Sequence, residues 1–430
     1  MKNLFKVLVV ALLAVTMFGC SKPADDQQGG ETAAEDVELV IWHTFTDAQN
    51  EALKKIAKDF SDAHEHINVV VEQQPYADFD SKVANAVRSQ QGPDICILFD
   101  TNAATYGEEG LLIDFLPYLE KDNYLDTLKT RMSAGAWADG TAYDNKLYMW
   151  PTNVTANIVY YNKTWYDELN LTVPTTWDEL VANSKAIADA KGVCGMGFDS
   201  LPDNCILWFN QKGITYLDAA TKTAGYDNEQ GVEVVRWFAE NADNTKGANA
   251  FALAATGNYF SEDMGSMNVG GYIGSCAGDP YVASAVGDKY EWDMFALPQW
   301  DANNTVSTAF IRGILGFTKG EAHDQAVYEF AKYFSSAEVS AYWCEEFYCL
   351  SPYADVTENA GYQAYLDAHK SMKLAQESVP FGKVAPVLPG APTARTELQT
   401  MLTQAATGMV TPEEAVKTAV ANSNAALSGN

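Results

Sequence analysis

The sequence has few of the residues from which metal and redox sites are built. It contains no Cys-x-x-Cys pair, no His-x-x-x-His pair and only 5 histidines in 430 residues. Structural and catalytic zinc sites usually draw on closely spaced cysteines and histidines. We therefore expect this protein to bind neither a metal nor an organic cofactor.

Basic residues are also scarce. The chain has 28 Lys and Arg against 57 Asp and Glu, which gives a formal charge of −29. Such a charge excludes nucleic acid as a partner and argues against adsorption on an anionic membrane. Two interpretations of the acidity stay open, namely solubility and recognition of a cationic ligand.

Long apolar runs are absent except near the start of the chain. Lys2 and Lys6 precede an apolar run over residues 7–18, which is shorter than the roughly 20 residues needed to cross a bilayer but suits a signal peptide. Met17-Phe18-Gly19-Cys20 resembles a lipobox. We predict a lipoprotein signal peptide over 1–19 and a lipid on Cys20; the alternative is an ordinary signal peptide with a chance cysteine.

Residues 20–36 carry no large apolar side chain and many acidic, Gly, Gln and Ala residues. Such a segment cannot bury enough surface to order itself, so we predict a flexible acidic tether. Anchor and tether together place the folded part at the extracytoplasmic face of the cell membrane, on the cell surface or in the periplasm.

Six further cysteines follow Cys20. Cys96 lies inside an apolar strand pattern, which predicts a free core thiol. The local candidates for disulfides are Cys194 with Cys205 and Cys344 with Cys349.

From residue 37 onward the pattern alternates between strands and helices. Apolar β-rich runs at 38–42, 67–71 and 95–99 enclose helical patterns at 47–60 and 79–88, and this order predicts an α/β fold with a parallel sheet. Capping boxes at Thr46–Gln49 and Thr176–Glu179 predict two helix starts. Some 394 residues are too many for one ordinary core, so we expect two lobes. We predict further helices at 101–109, 228–241, 322–334 and 412–427. We also predict an extended segment at 147–161 and a glycine-rich turn at 265–278.

Five motifs in order resemble the family 1 extracellular solute-binding proteins, the group of maltose- and glycerol-phosphodiester-binding proteins. They are Gly92-Pro93-Asp94 with 110–114, Leu147 to Pro151 with 160–163, 174–180, 265–267 and 330–352. The resemblance implies a two-lobed, type II periplasmic-binding-protein-like fold with ligand in the interlobe cleft. It implies three hinge crossovers, which we place at 153–157, 293–298 and 335–338. Lobe 1 would then comprise 37–153 and 299–335, and lobe 2 would comprise 154–298 and 336–430.

The same resemblance and the predicted strand ends nominate ligand-binding residues. Tyr76 and Asp100 match, by order, a tyrosine and a carboxylate that contact ligand in the glycerol-phosphodiester binders. Each nominated residue also has a structural alternative, such as a helix cap for Asp100, a core position for Trp208 or an ion pair for Arg312. The nominated set is Trp42, Tyr76, Asp100, Asn153, Thr155, Trp208, Gly271, Tyr272, Arg312, Gly313 and Tyr348.

The resemblance implies a monomeric receptor, not an enzyme, that captures a small polar ligand and passes it to the permease subunits of an ABC transporter. Glycerol-phosphodiester binders carry an arginine in a C-terminal glycine loop, whereas residues 386–390 here contain no basic residue. A phosphate would lose a charge-assisted contact there, so we expect a mono- or oligosaccharide. The alternatives are a glycerophosphodiester or polyamine on the same scaffold, or a surface glycoside hydrolase with paired carboxylates.

Overall fold

A computed structural model describes residues 36–45, 47–75, 79–99, 101–301 and 303–429. The predicted signal peptide, Cys20 and the tether before Asp36 lie outside the described residues. So do Thr46 of the first predicted capping box, Tyr76 and Asp100.

The described strands are β1 (Val37–His43), β2 (Ile67–Gln73), β3 (Ile95–Phe99), β4 (Trp150–Thr155), β5 (Asn157–Asn162), β6 (Gly197–Phe198), β7 (Leu217–Asp218), β8 (Thr223–Ala224), β9 (Gly271–Ser275), β10 (Trp292–Phe295), β11 (Ser307–Thr308), β12 (Phe310–Gly316) and β13 (Gly382–Lys383).

The described α-helices are α1 (Asp47–Ala63), α2 (Phe79–Arg88), α3 (Thr101–Glu108), α4 (Leu116–Lys121), α5 (Leu125–Arg131), α6 (Ala134–Gly140), α7 (Lys163–Glu168), α8 (Trp177–Lys191), α9 (Leu201–Gln211), α10 (Glu229–Ala242), α11 (Phe260–Gly265), α12 (Asp279–Val286), α13 (Glu321–Phe334), α14 (Ala337–Phe347), α15 (Ala360–Ala368), α16 (Lys370–Ser378), α17 (Ala391–Ala406) and α18 (Pro412–Leu427). Short 3-10 turns span Cys276–Gly278, Ala354–Glu358 and Val379–Phe381.

The first sheet has the strand order β2-β1-β3-β12-β4. Strands β1, β2 and β3 are parallel, as the strand-helix-strand pattern predicts, and β12 runs antiparallel between β3 and β4. The carboxyl ends of β1, β2, β3 and β4 and the amino end of β12 therefore lie at one edge of this sheet.

The second sheet has the strand order β10-β5-β9-β6. β6 is parallel to β9, whereas β5 is antiparallel to both β9 and β10. The carboxyl ends of β6, β9 and β10 thus share an edge with the amino end of β5.

One residue joins the two sheets at their first connection. β4 of the first sheet ends at Thr155 and β5 of the second begins at Asn157, so only Ala156 separates them. The Cys276 amide donates to the Ala156 carbonyl at 2.8 Å, and the Asn157 amide donates to the Thr308 hydroxyl at 2.8 Å. The two sheet edges described above therefore meet at this connection, inside the predicted crossover at 153–157.

Buried residues form two clusters, one on each face of the second sheet. Successive β5 side chains point to opposite faces, so Ile158 and Tyr160 join the cluster that covers the first sheet, while Val159 and Tyr161 join the other. The second cluster also contains apolar residues of α8, α9, α10, α17 and α18. Both faces of the second sheet are thus covered, as expected for an α/β layer architecture.

The other two connections differ from their predicted positions. The second runs from Phe295, the last residue of β10, to Phe310, the first of β12, so residues 293–295 still belong to the second sheet. Helix α14 packs on α1 beside the first sheet, whereas α16 packs on β5 and β10. The structure places Ala337–Phe347 with the first sheet, although the predicted boundary at residue 335 assigns it to the second lobe; the lobe boundaries stay a prediction.

Two further expectations concern cysteines and glycines. None of the six described cysteines forms a disulfide, so neither Cys194 with Cys205 nor Cys344 with Cys349 is bonded, and Cys96 is a buried thiol as predicted. The predicted glycine-rich turn over 265–278 is wrong at Gly271, which begins β9 between β5 and β6. A Cβ there would lie 2.5 Å from the Tyr160 carbonyl oxygen, so glycine permits close strand pairing rather than a turn.

Candidate ligand site at the facing sheet edges

Four nominated residues lie on or beside the edge of the first sheet. Thr155 ends β4 and is half-buried, and Asn153 is buried, accepting a hydrogen bond from the Thr152 hydroxyl at 3.1 Å. Arg312 lies at the amino end of β12, in register with both Phe99 and Asn153. Trp42 is the penultimate residue of β1. Carboxyl ends of parallel strands are the usual ligand positions in α/β sheets.

Trp42 contacts a strand and a helix that adjoin β1 in the same lobe. Its indole N–H donates to the Glu72 carboxylate at 2.8 Å, and Glu72 is its register partner on β2. The Lys82 ammonium lies 4.7 Å from the centre of the indole ring. This packing corresponds to the structural alternative, in which Trp42 covers its own lobe.

Arg312 covers an aromatic ring at the same edge. Its guanidinium carbon is 4.1 Å from the centre of the Phe99 ring and 6.0 Å from that of Phe347. A guanidinium at this distance stabilises the ring electrostatically. The ladder between β12 and β4 shifts register between Arg312 and Gly313, and such an irregularity changes the direction of nearby side chains.

Tyr348 lies near this edge, directly after α14. It adopts a left-handed conformation with φ of 54°, and its ring meets the His369 ring edge-on at 5.0 Å. The neighbouring Cys349 and Leu350 extend toward β4, where the Leu350 amide donates to the Val154 carbonyl at 2.9 Å.

Two further nominated residues, Trp208 and Tyr272, are buried away from the edge. Trp208 is fully buried in the second cluster, edge-to-face with Trp177 and Phe198, so the structure gives it the core position. Tyr272 is 1% exposed and stacks on Tyr160 at 5.0 Å.

The two nominated glycines have no free space beside them. A Cβ on Gly313 would lie 2.5 Å from the Trp150 carbonyl oxygen, and Gly271 is paired inside the second sheet. Gly313 pairs with Leu98 and Gly271 with Tyr161, so neither glycine lies in an exposed turn.

The structure adds aromatic residues that the sequence did not nominate. Among the described residues, the exposed aromatic side chains are Phe99, Tyr259, Tyr281 and Phe381. Phe99 ends β3, and Tyr281 lies in the first turn of α12, after β9. Tyr259 precedes Phe260 of α11, whose amide donates to the carboxylate of Asp199, the residue after β6. Phe381 directly precedes β13. The partner strand β11 contains Thr308, whose hydroxyl accepts a hydrogen bond from the Asn157 amide at the start of β5. All four lie next to the facing edges.

A carboxylate at the second edge was also missed. Asp199 follows β6 directly, and its amide donates to the Ile273 carbonyl of β9 at 3.0 Å. Burial among protein atoms raises the pKa of the Asp199 carboxyl to about 6, although the residue keeps exposed surface and accepts a hydrogen bond from the Phe260 amide. The signal in the sequence was its position after a strand, as for Asp100, but β6 has only two residues.

His43 ends β1 but is not available to a ligand. It is 1% exposed, and its Nδ1 accepts a hydrogen bond from the Phe45 amide at 3.0 Å. Burial and the nearby Lys54 lower the pKa of this imidazole to about 4, so it is neutral at physiological pH. Within the described part of the chain, no cluster of His, Cys, Asp and Glu could hold a metal ion, and no helix is long and apolar enough to span a bilayer.

Comparison with known proteins identifies the fold and the family. A cyclic alpha-maltosyl-1,6-maltose-binding protein from Arthrobacter globiformis superposes with a TM-score of 0.79 at 20% identity, over 92% of this chain and all of that one. A solute-binding protein of an ABC transporter from Thermotoga lettingae, solved with alpha-D-tagatose, gives 0.74 at 22% identity, over 91% and 99%. The two-lobed fold of the maltose-binding type is therefore confirmed.

Curated relatives match a smaller share of the sequence. An sn-glycerol-3-phosphate-binding periplasmic protein of Brucella abortus is 30% identical over 176 residues, 40% of this chain and 40% of that protein. A multiple sugar-binding protein of Streptococcus mutans is 28% identical over 173 residues, 40% of this chain and 38% of that one. The model of the family "Bacterial extracellular solute-binding protein" matches residues 46–341, more than half of the chain. The chain belongs to the bacterial extracellular solute-binding proteins.

Proposed function

We propose that this protein captures a neutral saccharide, either a monosaccharide or an oligosaccharide, in the cleft between its sheets and delivers it to the permease of an ABC transporter. The observation that carries the proposal is the placement of the exposed aromatic rings Phe99, Tyr259, Tyr281 and Phe381 beside the facing edges. Exposed apolar side chains that are grouped at one place, rather than scattered singly over the surface, mark a ligand-binding groove.

Saccharides fit this surface because their C–H faces are apolar and their ring edges carry hydroxyls. Aromatic rings can cover the faces, while carboxylates such as Asp199 can bond the edges. The names of the S. mutans relative and of the A. globiformis structure, both sugar binders, support this cargo.

A phosphate-bearing cargo is the second candidate, because the B. abortus relative is named for sn-glycerol 3-phosphate and Arg312 lies at the first edge. Two observations favour the neutral cargo. The Arg312 guanidinium is packed over Phe99, and the stretch before α17, residues 386–390, contains no basic residue.

A thermal-shift panel tests the choice of cargo. The panel contains maltose, maltotriose, maltotetraose, alpha-D-tagatose, sn-glycerol 3-phosphate and putrescine. A ligand at 100 times its dissociation constant stabilises the folded state by about 2.7 kcal/mol. We expect a shift with at least one saccharide and none with putrescine; shifts confined to the phosphate or the polyamine would reject the neutral cargo.

We also propose that the protein performs no catalysis and acts as a monomer. Prolonged incubation with maltotetraose should leave the oligosaccharide intact, because carboxylates such as Asp199 would only accept hydrogen bonds from its hydroxyls. Released maltose or glucose would favour the glycoside hydrolase alternative instead.

The proposal includes a lipid anchor on Cys20. In cells that produce Cys20→Ala, we expect most of the protein to leave the membrane fraction, since the remaining chain offers no described membrane-spanning helix. The measurement is the share of protein that sediments with membranes. Cys194→Ser, at a half-buried free thiol, is the matched control and should stay membrane-bound. Equal sedimentation of Cys20→Ala and the wild type would contradict the anchor.

A further inference from the structure

The environment of Asp199 differs from that of an ordinary surface carboxylate. Its backbone is fixed by β9, and its Oδ1 accepts a hydrogen bond from the Phe260 amide at 2.9 Å. The side chain is thereby held at the carboxyl end of β6 by two neighbouring elements. A group held in this way keeps its orientation when a ligand arrives, which lowers the entropic cost of binding.

Two glycines make this position possible. A Cβ on Gly274 would lie 2.5 Å from Asp199 Oδ2, and a Cβ on Gly197 would lie 2.4 Å from the Phe260 ring. Glycine at 274 therefore allows the carboxylate to approach the strand, and glycine at 197 allows α11 to approach β6. The sequence around Asp199 is thus fitted to hold a carboxylate at this edge.

The surroundings supply little compensation for the negative charge. Burial raises the pKa of Asp199, and the Phe260 amide offsets only part of this effect. Several titratable side chains lie on the adjoining elements. They are Tyr160 of β5, Tyr272 of β9, Asp279 of α12, Asp203 of α9 with its partner Arg395, and Tyr259, Glu262 and Asp263 at α11. A partly desolvated carboxylate gains most from ligand groups that donate hydrogen bonds, such as hydroxyls.

An exposed aromatic ring lies beside this carboxylate in the chain. Tyr259 is 58% exposed and directly precedes Phe260, whose amide holds Asp199. The same short segment thus fixes the carboxylate and presents a ring, which are the two kinds of group that bind the edge and the face of a sugar.

We propose that Asp199 and Tyr259 form the second-lobe half of the ligand site, where Asp199 accepts hydrogen bonds from saccharide hydroxyls and Tyr259 covers a C–H face. This inference rests on the proposed function, because it assigns a saccharide to the site. It adds a specificity-determining pair that faces the first-lobe residues across the sheet edges.

The test is a calorimetric titration with the panel saccharide that binds the wild type most tightly. Asp199→Asn keeps the shape and the bond from Phe260 but weakens acceptance, so we expect affinity to fall about tenfold or more. Asp218→Asn is the matched control, since the Asp218 carboxylate also accepts backbone amides, at Ala220 and Thr221 on the β7–β8 hairpin. We expect no change in affinity for this control.

A pH series provides a readout that a purely structural Asp199 would not move. Wild-type affinity should fall as the pH drops from 7.5 to 5, because protonation near pH 6 removes the negative charge that strengthens the hydrogen bonds from ligand hydroxyls, whereas Asp199→Asn should show no such step. The raised pKa means that ionisation of Asp199 destabilises the fold as pH rises through 4 to 6. Unliganded Asp199→Asn should therefore melt higher than the wild type at pH 7.5.

The outcomes separate the two proposals. If the wild type binds a saccharide and Asp199→Asn binds it equally well at every pH, the Asp199 assignment is overturned and the proposed function stands. If the wild type binds no saccharide in the panel, both are overturned, since Asp199 then has no hydroxyl to accept.

Discussion

Replacing Phe99 and Tyr259 together by alanine should lower saccharide affinity about a thousandfold. Each exposed ring acts as an aromatic anchor worth about 2 kcal/mol, and about 4 kcal/mol in total corresponds to that factor. The two effects should add because Phe99 ends β3 of the first sheet, whereas Tyr259 precedes α11 beside the second sheet.

The double variant should stay folded, because both side chains are exposed, at 40% for Phe99 and 58% for Tyr259, and loss of the Arg312–Phe99 contact should cost only about 0.5–1 kcal/mol. Calorimetric titration measures the affinity, and thermal melting without ligand checks the fold. Val173→Ala with Met409→Ala is the matched control, since both residues are exposed apolar side chains away from the sheet edges. A double variant that binds within threefold of the wild type would show that the exposed rings do not hold the ligand.

The largest effect on stability should come from Arg131→Met. The Arg131 guanidinium forms an ion pair with Asp355 at 2.7 Å and donates to the Tyr124 hydroxyl and to the Ser335 carbonyl, both at 2.7 Å. It also lies 5.1 Å from the centre of the Tyr353 ring. This one side chain therefore ties α5 to the segments that follow α13 and α14.

Methionine keeps the packed stem but leaves these acceptors without a donor. The Arg131 side chain is 15% exposed and that of Asp355 is 37% exposed, so we expect a loss of about 3 kcal/mol, the lower end of the range for breaking a buried pair. Urea unfolding measures this loss. Arg236→Met removes an exposed pair with Glu413, at 44% and 57% exposure, and should cost less than about 1 kcal/mol. Equal losses in the two variants would contradict the argument from burial.

Local signals in the sequence predicted local structure well. The Thr176–Glu179 capping box is present with both of its hydrogen bonds, and α8 begins where the box predicts. Helix α2 has the predicted bounds, and β3 matches the apolar run that contains Cys96. These elements are specified by neighbours in the chain, so a single sequence contains the information.

Positions that depend on distant neighbours could not be predicted in the same way. Gly271 lies in a stretch with the composition of a turn, but it belongs to β9, and β9 lies between β5 and β6 in the second sheet. Trp208 could stack on a ligand or fill a core, and only the packing of Trp177 and Phe198 decides for the core. The sequence carries no local trace of either neighbour.

The site shows the same division. Thr155, nominated from the predicted first crossover, and Arg312, nominated because it follows a predicted strand start, both lie at the first edge. Asp199 was missed because a strand of two residues leaves no periodic pattern in the sequence. Phe99 was missed because the last residue of an apolar strand is expected to be buried in the core. Tyr76 and Asp100 stay predictions.

The central claim is that a neutral saccharide occupies the cleft, and calorimetric titration at two salt concentrations tests it most directly. Ionic attraction between exposed charges weakens as the screening length falls from about 10 Å at 0.1 M salt to about 3 Å at 1 M, whereas stacking and hydroxyl bonds respond little. We predict that a panel saccharide binds with nearly the same affinity at both concentrations and with a negative heat-capacity change from apolar burial. Binding confined to sn-glycerol 3-phosphate or putrescine, with an affinity that falls steeply as salt is raised, would contradict the claim.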